Sequence, residues 1–217
     1  DHRDLHSFPT RRSSDLAGFE LVPQPGHNVF EFDEDEYECR DTGGTNAIRL
    51  FNMKKPVIGA INGSAVGVGI TMTLPMDIRI LSSKAKVAFP FVQRGFVSET
   101  CLSWFLPRIV GISKANEWVL TGRYIMPDEA LEWGLVSEVV EPDQVYPRAR
   151  EIAKQIVENT APVAVAICRQ LIYQMAGERH PMTAHKIESV TYKYIGASHD
   201  ANEGPKAFLE KREPVFN

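Results

Sequence analysis

With 217 residues, 43% hydrophobic and 24% charged, the chain can bury one core of ordinary size, which excludes overall disorder. Its formal net charge of −4, with Lys and Arg scattered along the chain, excludes nucleic acid as the main partner. Cys39, Cys101 and Cys168 are far apart and show no CxxC spacing. They define neither a disulfide framework nor a thiolate metal site, and they point to a reducing, cytoplasm-like compartment, with an organellar matrix as the alternative. No apolar run approaches the ~20 residues that cross a bilayer, so no membrane partner is expected.

Residues 1–16 (DHRDLHSFPTRRSSDL) carry neither helical nor strand periodicity and no signal-peptide h-region. They resemble a translated sequencing-adapter tract, a disordered tail being the alternative, and are set apart from a single domain over 17–217. A turn-like segment opens at 17–21, and the acidic run 31–38 (EFDEDEYE) reads as a solvated loop or helix face before Gly43-Gly44. A short helix is predicted over 46–53, ending near Pro56. The apolar run 57–61, bounded by Pro56 and Asn62-Gly63, suits a strand covered on both faces. At 67–76 a glycine-rich turn leads into a helix whose start presents free N–H groups. Strands follow at 78–81 and 86–89, separated by polar residues.

Helices dominate the rest, at 114–120, 127–133, 147–158, 161–175, 182–194 and 204–212, where apolar residues recur at helical spacing. The class from pattern alone is α/β, with a core over about 17–145 and a helical part over about 146–217.

A GxGxxG fingerprint fails at Met72, which argues against a dinucleotide site. The histidines form no HExxH, so no metal is predicted, and no G-x-S-x-G elbow supports a serine hydrolase. A glycine cluster such as Gly63, Gly67 and Gly69 is by itself more often a tight turn than a ligand site. The aromatic residues Phe89, Phe91, Phe96, Trp104 and Phe105 read first as core.

The segment KPVIGAINGSAVGVG (55–69), followed by Asp77-Ile78-Arg79, resembles the KPVIAAxNGxAxGGG and Asp-Ile-Arg elements of the enoyl-CoA hydratase/isomerase (crotonase-like) superfamily. LPRIVG (106–111), LTG (120–122), DEA (128–130), WGLV (133–136) and EGPKAFLEKREPVF (203–216) are similar to its later motifs, in the same order. This resemblance implies a spiral of ββα units forming two sheets, with C-terminal helices that build a trimer or hexamer. The family's usual N-terminal strands are replaced here by residues 1–16. It also implies an acyl-CoA thioester substrate and no separate cofactor, since CoA is part of the substrate.

The chemistry it implies begins with the thioester enolate, which needs hydrogen-bond donors aimed at its oxygen. The family's two backbone donors fall on the N–H groups of Phe19 and Val68, and the surrounding substrate contacts on Ala17, Gly18, Glu20, Leu21 and Gly67. Valine at position 68, where the family has glycine, restricts φ and narrows the pocket. The two glutamates of water-adding members fall on Thr71 and Phe91, neither of which activates water. Ser98-Glu99 instead resembles the Ser-Pro-Glu placement of isomerases that shift a 3,4 double bond. Glu99 is therefore the catalytic candidate, with Ser98 and Phe91 as substrate contacts. One carboxylate suits isomerisation, because the same base can take a proton from C2 and return it to C4. The plainer reading of Glu99 is an exposed first-turn helix carboxylate. Hydration of a 2-enoyl-CoA and a catalytically silent acyl-CoA-binding subunit are the alternative functions.

Overall fold

The fold is described from a computed structural model, over residues 40–217. The expectations placed on 1–16, 17–21 and 31–38, including Ala17, Gly18, Phe19, Glu20 and Leu21, lie outside the described residues. Elements are numbered within 40–217.

The chain winds in repeating units. Strand β1 (Ile58–Ile61) is followed by β2 (Ala65–Val66) and the helical turn α2 (Val68–Thr71), then β3 (Ile78–Ser82) and β4 (Val87–Ala88) repeat the path. β1, β3 and β5 (Glu138–Val140) form one parallel sheet in the order β1-β3-β5, with Ile58 opposite Ile78 and Ile80 opposite Glu138. β2 and β4 form a second parallel pair, Ala65 opposite Val87. Each circuit thus lays one strand on each sheet and crosses between them, because parallel neighbours need a long connection. This is the two-sheet ββα spiral expected from the motifs.

Helices α3 (Leu102–Val110), α4 (Ile112–Thr121) and α5 (Pro127–Glu132) close the core, in which Ile70, Phe89, Leu106, Trp118 and Leu135 are fully buried. Phe89 and Trp118 stack with centroids 6.5 Å apart. β1 is not covered on both faces, for Ala60 is exposed while Gly59 and Ile61 are buried. It is an edge of the three-stranded sheet within the described residues.

Other departures have local causes. Helix α1 runs Thr42–Phe51, four residues earlier than the apolar pattern predicts, because Asp41 caps it by accepting the Gly44 N–H at 2.5 Å. Only Val68–Thr71 of the stretch 67–76 is helical. α3 escaped the periodicity reading because Pro107 lies inside it. The donor that Pro107 lacks would have served the Ser103 carbonyl, and Ser103 is exposed, so water can take its place. The last helix, α9 (His199–Glu210), starts five residues before Gly204, where the Ser198 hydroxyl accepts the Ala201 N–H.

Two buried arginines fasten the spiral. Arg79 of β3 donates to the carbonyls of Leu135 (2.6 Å), Thr73 (3.3 Å), Leu74 (3.3 Å) and Met76 (2.5 Å), tying the α2 exit to the segment before β5. Arg169 of α7 (Pro162–Met175) pairs with Asp77 at 2.8 Å and donates to the carbonyls of Leu50, Phe51 and Met53 at the end of α1. Asp77 in turn accepts the Val57 N–H at 2.6 Å. The Asp-Ile-Arg element therefore acts as scaffold: both of its charged side chains satisfy buried or partly buried backbone groups.

α6 (Val145–Asn159) packs across β1 and β3, burying Val145 and Ala149 against Ile80. α8 (Pro181–Ile195) buries none of its residues. On α8 and α9 Tyr192, Tyr194, Phe208 and Leu209 are exposed. The C-terminal motif folds back on α9, with Glu203 accepting from Arg212 (2.5 Å) and from the Val215 N–H (2.9 Å).

Candidate active site

Glu99 stands three residues before α3, on a segment whose backbone is unusual. Thr100 and Cys101 both have left-handed φ, 59° and 56°. For a β-branched residue this is a true outlier, and each such residue costs on the order of 1–3 kcal/mol. The surroundings hold it in place. Thr100 is fully buried, its N–H donates to Asp41 Oδ1 at 3.2 Å, and its hydroxyl donates to Glu99 Oε1 at 2.8 Å. The Leu102 N–H then closes the turn on the Glu99 carbonyl at 3.0 Å.

Three residues from two other segments meet Glu99. Thr71, buried at the end of α2, has its hydroxyl 3.4 Å from Glu99 Oε1 and 3.3 Å from the Val68 carbonyl. Gly43, in the first turn of α1, lies so close that a Cβ there would sit 2.2 Å from Thr100 Oγ1 and 2.8 Å from Glu99 Oε2. Asp41, just before that helix, places a second carboxylate beside Glu99.

Glu99 is partly buried, not the exposed helix-start carboxylate of the plainer reading. Burial pushes its carboxyl above the ordinary value. The Thr100 hydroxyl opposes that shift, the neighbouring Asp41 carboxylate reinforces it, and the Thr71 hydroxyl opposes it. A half-buried carboxylate of raised basicity, oriented by two hydroxyls, is chemically suited to take up a proton from carbon.

The other expected residues fall as follows. Val68 is the first residue of α2, where an N–H has no acceptor within its own helix. The strain expected of a valine here is absent, because the positive φ (59°) falls on Gly67. Gly67 is pinned to β4 by its N–H bond to the Ala88 carbonyl, 3.0 Å. Phe91 packs partly buried against the core, and its carbonyl accepts from the N–H groups of Arg94 and Phe96, both at 3.0 Å. Ser98 is partly buried next to Glu99. Phe89 and Phe105 are core, as the plainer reading of the aromatics has it.

Of the expected residues the structure thus brings Glu99 to Thr71, with Ser98 next to it in the chain, whereas Phe91 packs against the core. Sequence reasoning missed Asp41, Gly43 and Thr100. The Asp-Thr-Gly-Gly run at 41–44 was a legible capping signal, but nothing in it pointed to a residue 58 positions on. Among the described residues no group of His, Cys, Asp and Glu has the arrangement of a metal site. No described helix is long and apolar enough to cross a membrane.

The described architecture defines the class, a crotonase-fold protein with the partly buried Glu99 carboxylate beside the helical turn that follows Gly67. A family model described as enoyl-CoA hydratase/isomerase matches residues 29–217, and the chain belongs to that family. It is 47% identical over 178 residues to the enoyl-CoA hydratase ACTT3 of Alternaria alternata, covering 82% of this chain and 60% of that protein. To the carnitinyl-CoA dehydratase of Escherichia coli K12 it is 38% identical, covering 80% and 67%. The crystal structure of an enoyl-CoA hydratase from Bacillus anthracis superposes with a TM-score of 0.77 at 32% identity, covering 80% of this chain and 67% of that one. Pseudomonas aeruginosa DspI also superposes at 0.77, with 30% identity and coverage of 85% and 73%. The chain spans 60% of the length of the Alternaria relative.

Proposed function

We propose that the protein moves the double bond of an enoyl-CoA, with Glu99 as the base that carries the proton. The observation that carries this reading is the Glu99 carboxylate, partly desolvated beside Asp41 and held by the Thr71 and Thr100 hydroxyls. The CoA thioester carbonyl would lie against the backbone N–H groups of Val68 and Phe19, which stabilise the enolate oxygen as charge develops. Ala17, Gly18, Glu20, Leu21, Gly67, Phe91 and Ser98 complete the substrate contacts. Glu99 removes a proton from C2, the enolate delocalises to C4, and the protonated carboxyl returns the proton there. No water takes part, which suits the presence of Thr71 and Phe91 where water-adding members carry glutamates.

A second reading, hydration of a 2-enoyl-CoA, is favoured by the hydratase names of the similar proteins. The two hydroxyls beside Glu99 would then orient the water. In both readings the exposed apolar residues of α8 and α9 are covered in a homotrimer or hexamer.

The test is a parallel assay of the full-length protein on 3-enoyl-CoA and 2-enoyl-CoA. Migration that falls at least ~100-fold in Glu99→Gln supports the isomerase reading. Hydration that survives the substitution, with no migration in the parent, overturns it.

A further inference from the structure

We propose that Asp41 is a positioning residue for Glu99, fixing the left-handed Thr100–Cys101 step that decides where the Glu99 carboxylate points. The inference rests on Glu99 being the working base. Its basis is one carboxylate acting on two elements at once. Asp41 Oδ1 accepts the Gly44 N–H (2.5 Å), which starts α1, and the Thr100 N–H (3.2 Å), which belongs to the segment before α3. The first bond is local and the second spans 59 positions, falling on the first residue of the strained pair.

Two backbone donors on one carboxylate oxygen make a stiff joint, because losing the acceptor would leave the buried Thr100 N–H unsatisfied. Without it the Thr100–Cys101 step has no reason to stay left-handed and would relax toward ordinary φ. The Thr100 hydroxyl and the Glu99 carboxylate would swing with it, away from Thr71. Gly43 leaves that joint its space, since any side chain there would occupy the positions of Thr100 Oγ1 and Glu99 Oε2.

Asp41 also acts electrostatically. Among the described residues the groups that act on Glu99 are Asp41 at the start of α1, Thr71 at the end of α2, and Thr100 on its own segment, and these three include no cation. The Asp41 charge therefore adds to burial in making Glu99 harder to ionise and a stronger base once ionised.

The two contributions separate in two substitutions of the full-length protein. Asp41→Asn keeps an oxygen to accept both N–H groups but removes the charge. It is expected to hold kcat for double-bond migration at pH 8 within about threefold, while the acid limb of kcat/KM moves down by on the order of half to one pH unit. Asp41→Ala removes the acceptor as well. Its kcat is expected to fall at least ~10-fold with KM within about twofold of the parent, as befits a displaced catalytic group.

A 13C NMR titration of the Glu99 carboxyl, assigned by its loss in Glu99→Gln, gives a readout that needs no turnover, and the same downward shift is expected in Asp41→Asn. An unmoved Glu99 titration in Asp41→Asn overturns the proposal, as does a parental kcat in Asp41→Ala. Should Asp41→Ala fail to fold, Asp41→Ser, which still caps α1 but is one atom short of the Thr100 N–H, takes its place, with the same fall in kcat expected and a parental kcat overturning the proposal. Migration that persists in Glu99→Gln would instead sink the Glu99 reading, and this inference with it.

Discussion

Replacing Arg169 with methionine keeps the aliphatic stem and deletes the guanidinium that locks α7 to α1 and β3. Both partners are shielded, the Arg169 side chain 5% exposed and that of Asp77 17%. The substitution leaves Asp77 without its cation, and breaking such a pair from one side costs about 3–5 kcal/mol. The Phe51 carbonyl loses its donor at about 1 kcal/mol, less whatever water restores, while the Leu50 carbonyl keeps the Met53 N–H at 3.2 Å. The Met53 carbonyl keeps Gln170 at 2.8 Å. A loss near 4 kcal/mol is a large share of the ~5–15 kcal/mol that holds a domain together. In urea, with a slope of about 2 kcal/mol per molar, it lowers the unfolding midpoint by roughly 2 M at unchanged slope. The assay is equilibrium unfolding at fixed protein concentration, because any assembly would add its own stabilisation. Arg169→Met with Asp77→Asn should cost less than the sum of the two, by about 1.5–3 kcal/mol. A loss under ~1 kcal/mol for Arg169→Met, or strict additivity with Asp77→Asn, would refute the pairing as the fastening of α1.

Glu99→Gln should remove activity and yet stabilise the protein near neutral pH. The folded-state carboxyl titrates above its ordinary value, so its favourable contribution is present below the unfolded-state value and is lost as pH rises through the folded-state one. The Tm advantage of the variant is therefore small at pH 4 and larger at pH 8; an equal gap at both, or a more stable parent at pH 8, contradicts the desolvation of Glu99. Gly43→Ala gains helix propensity of about 1 kcal/mol but must push aside Thr100 Oγ1 and Glu99 Oε2. It should keep stability within ~1 kcal/mol while lowering kcat by roughly 10–100-fold, and a parental kcat would show that Glu99 does not depend on that contact.

Much of the fold was legible because its signals are local. The apolar run before Asn62-Gly63, the paired short strands and the long amphipathic helices each follow from residues within a few positions of one another. What stayed hidden depended on distant partners. Gly43-Gly44 reads as a break until Asp41 is seen to cap them, and α3 reads as no helix until Ser103 is seen to face water. The cluster was legible at Glu99 and, through the motifs alone, at Thr71. Its hydroxyls, its glycine and its second carboxylate come from segments 28, 56 and 58 positions earlier, apart from the adjoining Thr100, and no periodicity relates them.

The residues that carry the resemblance most plainly are also not those that do chemistry. Asp77 and Arg79 are spent on backbone groups of Val57, Thr73, Leu74, Met76 and Leu135, which fixes the position of the turn after β2 and of the α2 exit. That frame keeps Thr71 and Val68 on one short turn, while Asp41 and Gly43 arrive on a helix whose far end Arg169 holds. Glu99 can sit on a strained, weakly specified loop because everything it touches is anchored elsewhere. The stability that tolerates two left-handed residues at Thr100 and Cys101 comes from arginine–carbonyl and arginine–aspartate contacts outside the cluster around Glu99.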